Sequence, residues 1–155
     1  MKKKRVVIIS LLLLLVSVIG ISSYFLFKDK INLLDVDHSA VDWNGKKQKD
    51  TSGEENTIAI PGFEKVTLYA NETTQAVNFH NPEINDCYFK ISLIHPDGSV
   101  LWISDLIEPG KGMYSIELEK TLAVGEYENA VLKYECFSLN DQSPLNGSEI
   151  NLKLV

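Results

Sequence analysis

The groups able to do chemistry are few and scattered. The chain has two cysteines, Cys87 and Cys136, three histidines, His38, His80 and His95, and 21 acidic residues. The cysteines have no Cys-x-x-Cys partner, and the histidines show no i, i+2 or i+4 pairing, so neither set has the spacing of a zinc site. A nucleophilic cysteine would need an exposed thiol beside a histidine, and no such pairing is indicated. The acids Asp35, Asp37 and Asp42 lack the fixed ligand spacing and the glycine turn of a calcium loop. Glu117 and Glu119, and Glu126 and Glu128, alternate along strand-like runs on what reads as a solvated face, not across a cleft as paired glycosidase carboxylates would be. No nucleophile elbow, phosphate loop or dinucleotide fingerprint occurs. The expectation is a protein without catalytic residues, bound metal or cofactor.

What must position any working surface is a set of strands. The clearest is Leu122–Phe137, where Ala130, Leu132, Tyr134 and Cys136 alternate with Val131, Lys133 and Glu135. Such alternation marks a strand with one buried face. Similar short runs recur from Thr57 to Val155 at spacings of about 8–12 residues, the rhythm of an all-β sandwich or barrel. They are punctuated by Pro61-Gly62, Asn81-Pro82, Pro96-Asp97-Gly98-Ser99 and Pro109-Gly110. About seven antiparallel strands are predicted in a domain spanning 57–155.

The chain of 155 residues also leaves room for an appendage. Residues 2–5 are Lys-Lys-Lys-Arg, and Val6–Phe27 carry no charge over 22 residues. A bilayer-spanning helix takes about 20. The basic cluster predicts a cytoplasmic tip and an extracytoplasmic C-terminal part, so 1–27 reads as tip plus transmembrane helix or signal anchor. A cleaved signal peptide, which would make the product secreted, has a shorter apolar region and a small-residue cleavage site. Residues 28–56 read as a polar stalk, with Ile31–Trp43 either a short helix or an extended segment docked on the domain. The net charge is −6, and −10 without residues 2–5. An exported part this acidic argues against nucleic acid as a partner.

The strand order resembles the immunoglobulin and fibronectin type III group of sandwiches. Leu122-x-x-Gly125-x-Tyr127 is similar to that group's tyrosine corner, which implies a structural role for Leu122, Gly125 and Tyr127. The cysteine pattern departs from the immunoglobulin one: Cys136 lies nine residues after Tyr127, not two, and the third strand carries no tryptophan. The resemblance makes the strands carrying Cys87 and Cys136 antiparallel neighbours. Together with core parity, this implies a Cys87–Cys136 disulfide, the alternative being two buried thiols packed as small apolar residues.

Asn81-Pro82, Cys87-Tyr88-Phe89, Asp97–Trp102, Pro109-Gly110-Lys111 and Ser143–Gly147 resemble runs in small single-anchor surface proteins of Gram-positive bacteria. That group is uncharacterised, so the resemblance implies placement and fold only. The Asp-Gly-x-x-x-Trp and Pro-Gly-Lys pieces also look like secreted sandwich proteinase inhibitors. For binding, the candidates are Trp102, whose neighbours Leu101 and Ile103 have core parity, and Pro144, Leu145 and Asn146 in a predicted loop. The expected function is a non-enzymatic interaction or structural module displayed outside the membrane, an accessory of an envelope or secretion assembly, with an inhibitor-like binding domain as the alternative.

Overall fold

A computed structural model of the chain describes residues 33–45 and 57–155. The expected anchor at 6–27 and residues 46–56 of the expected linker lie outside the described residues. Among the described residues no helix is long and apolar enough to cross a membrane. The described residues from Leu34 to Val155 form one compact unit.

Eight strands occur among the described residues: β1 (Val41–Asp42), β2 (Lys65–Val66), β3 (Thr74–His80), β4 (Cys87–Ile94), β5 (Val100–Ile103), β6 (Lys111–Glu117), β7 (Tyr127–Ser138) and β8 (Pro144–Leu154). They build two sheets, β1-β6-β3 and β2-β8-β7-β4-β5. All pairings are antiparallel except β2 with β8. Both sheets contribute to one core, as in a β-sandwich. The alternation on β4 and β7 supplies much of it: Cys87, Phe89, Ile91 and Leu93, and Ala130, Leu132, Tyr134 and Cys136, are all buried. Phe79, Met113 and Ile116 answer from the other sheet.

Turn chemistry joins the strands as the residue types require. Gly98, at φ 85°, closes the hairpin between β4 and β5, where the His95 N–H donates to the Ser99 carbonyl at 2.9 Å. Asn129, at φ 62°, sits in the bulge where β7 gains a residue over β8.

The sandwich takes its first strand from the segment expected as stalk. Val36 bridges Leu106, and β1 pairs with β6 through Val41–Gly112 and Asp42–Lys111. Beyond it, Trp43 stacks on His80 with ring centroids 3.8 Å apart and planes within 6°. The Trp43 indole donates to Asn78 Oδ1 at 2.7 Å. Gly112 makes this possible. A Cβ there would lie 2.9 Å from His80 Cβ and from the Phe79 carbonyl oxygen, and 3.0 Å from Trp43 Cδ1.

Three segments that join no strand at the point of contact are held by side-chain amides. Gln142 takes both backbone groups of Leu34, Asn85 both of Ala59, and Gln75 both of Tyr69. Each carboxamide stands in for one residue of a neighbouring strand, satisfying a donor and an acceptor together. Asn81, fully buried, plays the related part of a hub. Its Nδ2 donates to the carbonyls of Cys87 (2.8 Å) and Ile107 (2.9 Å), and its Oδ1 accepts from Asn85 Nδ2 at 2.9 Å.

Candidate interaction surface

The two cysteines do lie on adjacent antiparallel strands with their side chains in the core, but the register offsets them. Cys87 is opposite Ser138, and Cys136 is opposite Phe89. The pair is therefore diagonal, lies 4.4 Å apart and is not bonded. The expected disulfide is corrected to two buried free thiols. A diagonal pair across an antiparallel ladder is wider than a directly opposed one, and disulfide geometry tolerates little excess. The hydrogen bond with Cys87, and then burial, push the Cys136 thiol above its ordinary range, which keeps it from acting as a thiolate.

At the corner, the Tyr127 hydroxyl donates to the carbonyl of Ala123 at 2.9 Å, four residues upstream. Leu122 is buried beneath it, and its carbonyl accepts from the Asn71 N–H. Gly125 lies against the Tyr127 ring. This bond ties the β6–β7 connection to the first residue of β7.

Trp102 is no binding surface. It is 7% exposed and packs at 5.8 Å from Phe79 in the core. The register of β5 against β4 slips between Leu93–Trp102 and Ile94–Val100, so Leu101 is an extra residue. The bulge re-aims consecutive side chains, and both Leu101 and Trp102 point inward. Strict alternation had required one of them to face water. The outward residues of β5 are Val100 and Ile103.

Pro144, Leu145 and Asn146 are exposed, and they open strand β8 instead of forming a loop. Near them β8 bulges against β7: Tyr134 pairs with Ser148 and Cys136 with Leu145, leaving Asn146 and Gly147 opposite the single residue Glu135. Gly147 runs so close to β7 that a Cβ would lie 2.2 Å from the Tyr134 carbonyl oxygen. The bulge leaves a hollow of about 360 Å³ bordered by Glu135, Phe137, Pro144, Leu145 and Glu149.

Beside this hollow lies an open sheet edge. Strand β2 covers β8 only at Lys153 and Leu154. There the Lys153 N–H donates to the Glu64 carbonyl and the Val155 N–H to the Val66 carbonyl, so odd-numbered residues of β8 direct their backbone groups away from β7. Backbone direction alternates along a strand. Glu149 and Asn151 therefore present N–H and C=O groups at an edge that no described strand pairs. Their side chains are solvent-facing, while Ile150, between them, is half-buried against the core.

Titratable groups elsewhere act within turns and on the outer faces. Hydrogen bonds from Ser99, and then His95, hold the Asp97 carboxyl well below the usual range at the β4–β5 hairpin. Lys153 bridges Glu126 (2.6 Å) and Glu128 (2.9 Å), which raises its pKa. Among the described residues no three His, Cys, Asp or Glu side chains converge as metal ligands. The amides Gln75, Asn81, Asn85 and Gln142 and the edge residues Ser148–Leu152 were not legible as special, because each owes its role to a partner far along the chain. No family model, curated protein or solved structure matches this chain.

Proposed function

We propose that this chain is a single-anchor extracytoplasmic protein whose sandwich, of the immunoglobulin and fibronectin type III kind, serves as a non-enzymatic interaction module. The sandwich type is supported by the β6-β3 and β8-β7-β4-β5 strand orders and by the Tyr127 bond. One departure is β1, which lies beside β6 on the side away from β3. Placement outside the membrane rests on the basic residues 2–5 and the uncharged run 6–27. The resemblance to Gram-positive surface proteins supports the same placement.

The observation that carries the reading is the unpaired stretch of β8 next to exposed Pro144 and Leu145. An open edge is a ready template for another strand. A photo-crosslinking residue placed at Asn151 in the full chain, irradiated on intact cells, is expected to give an adduct of one discrete mass. The same residue at Glu117, on the other sheet, is expected to give none. Equal yields at both positions, or no adduct in any growth condition, would refute the reading.

A further inference from the structure

We infer that residues 41–45 form an acid-released strap, docked on the three-stranded sheet while His80 is neutral and undocked when that imidazole takes up a proton. The imidazole is the floor of the docking site. Phe79 packs in the core, so His80, the next residue of β3, leaves the opposite face. Trp43 lies flat on it, and Gly112 of β6 leaves the space that both rings need. Under Trp43 the imidazole is buried, and its Nδ1 meets no hydrogen-bond partner.

The other holds on the strap are light. Strand β1 pairs with β6 over two residues, both exposed. The Trp43 N–H donates to the Gly110 carbonyl at 2.9 Å, and its indole donates to exposed Asn78. Asn44 shares two bonds with the hydroxyl of exposed Tyr114. Solvent-facing bonds of this kind open locally at low cost. Ala40 packs on the core and marks where undocking stops. Release bares His80 and the Lys111–Gly112 edge of β6 that β1 covers.

An imidazolium beneath Trp43 would be a charge cut off from water with no acceptor at Nδ1. The cation–π attraction that the indole offers in return is smaller than that cost. Once undocked, the same ring is in water and takes up the proton at its ordinary value of 6.5, whereas burial holds the docked value lower. Acid therefore favours the undocked form, through the linkage of proton uptake to opening. No neighbouring charge reverses the sign. On the strands packed against His80 the charged groups are Asp42 of β1 and Lys111 of β6, bound to each other at 2.6 Å. Strand β3 has no other titratable side chain, and the Tyr114 phenol of β6 is taken up by Asn44. The turn before β6 brings Glu108, which acts on Lys111, and Glu83, which lies against Gly110. The imidazole Nδ1 is bonded to none of them.

Amide hydrogen exchange of the full chain in detergent micelles tests this, with rates corrected for the intrinsic effect of pH. The Trp43 amide, bonded to Gly110, reports the strap, and the Phe89 amide, bonded to Ile107 in the core, reports opening of the whole domain. Trp43 is expected to be the less protected of the two at every pH. Between pH 7.5 and pH 5 its protection is expected to fall by about ten-fold, as proton uptake on opening allows. In His80→Phe, which keeps a flat ring under Trp43, that fall is expected to vanish, and His80→Leu serves as a second neutral replacement. Equal protection at Trp43 and Phe89 overturns the strap, because the segment would then open only with the domain. Protection at Trp43 that holds or rises in acid overturns the release. A fall that persists in both neutral variants overturns His80 as the group that triggers it.

Discussion

The carboxamide of Gln142 grips the backbone of Leu34, accepting its N–H at 2.6 Å and donating to its carbonyl at 3.0 Å across 108 residues of chain. Two further bonds follow directly: Leu106 N–H donates to the Asp35 carbonyl, and Asp37 N–H to the Leu106 carbonyl. The segment that begins at Leu34 is thus part of the fold. Gln142→Ala removes both bonds of the grip and strands two partly buried backbone groups. The expected cost is about 1–2 kcal/mol in denaturant unfolding, with faster amide exchange at Leu34. Unchanged exchange at Leu34 would mean that the grip is not formed in solution.

His80 makes stability depend on pH. It is 4% exposed, lies flat against Trp43, and has no partner for Nδ1. Burial lowers its pKa below 6.5. Well above pH 6.5 it is neutral in both folded and unfolded chains, and stability is complete. As the pH falls below 6.5 the unfolded chain takes up the proton first, and stability drops until the folded pKa is passed. Unfolding free energies measured between pH 7.5 and 5 are expected to fall in the wild type. In His80→Phe, which keeps a flat ring against Trp43, that fall is expected to flatten.

Tyr134 has the opposite character. Its hydroxyl is fully buried without a hydrogen-bond partner, and burial pushes its pKa above the usual value. Its ring packs edge-on to Phe89 at 5.4 Å, a contact that phenylalanine would keep. Tyr134→Phe is expected to raise stability by about 1 kcal/mol. A loss of similar size would show that the hydroxyl is satisfied in solution.

Asn81 is expected to be the most sensitive polar residue. Asn81→Ala leaves the Cys87 and Ile107 carbonyls without that donor and removes the acceptor for Asn85, at a cost of about 3 kcal/mol. Asn81→Asp keeps the acceptor but sets a carboxylate against two carbonyl oxygens. At pH 7 it is expected to unfold at lower denaturant than Asn81→Ala, and the order is expected to narrow in acid.

Periodicity made β4, β6 and β7 legible, since Phe89-Ile91-Leu93 and Ala130-Leu132-Tyr134 alternate without interruption. The structural role of the tyrosine was legible from the resemblance carried by Leu122, Gly125 and Tyr127, but the acceptor, the Ala123 carbonyl, was not. Wherever a bulge enters, parity fails: it misplaced Trp102, because Leu101 is extra in β5. Pro144–Asn146 read as a loop because a proline and a glycine so close together look like a break, yet Pro144 and Leu145 pair with Phe137 and Cys136, and Asn146 lies in the bulge. The cysteines show the limit of register. Their strands and faces follow from alternation, but an offset of two residues leaves parity unchanged and still separates a bonded pair from a diagonal one. The Leu34 and Ala59 contacts carry no local signal at all, since a glutamine or asparagine gripping distant backbone looks like any surface amide.

The order of attachment along residues 34–43 also fixes how the domain would bear a load. Tension entering at Leu34 meets Gln142 first, then the Leu106 ladder, then β1 on β6, and only afterwards the Trp43–His80 stack. These attachments are arranged in series, so they release one at a time. The segment can therefore peel while the two sheets remain closed, acting as a mechanical fuse ahead of the core.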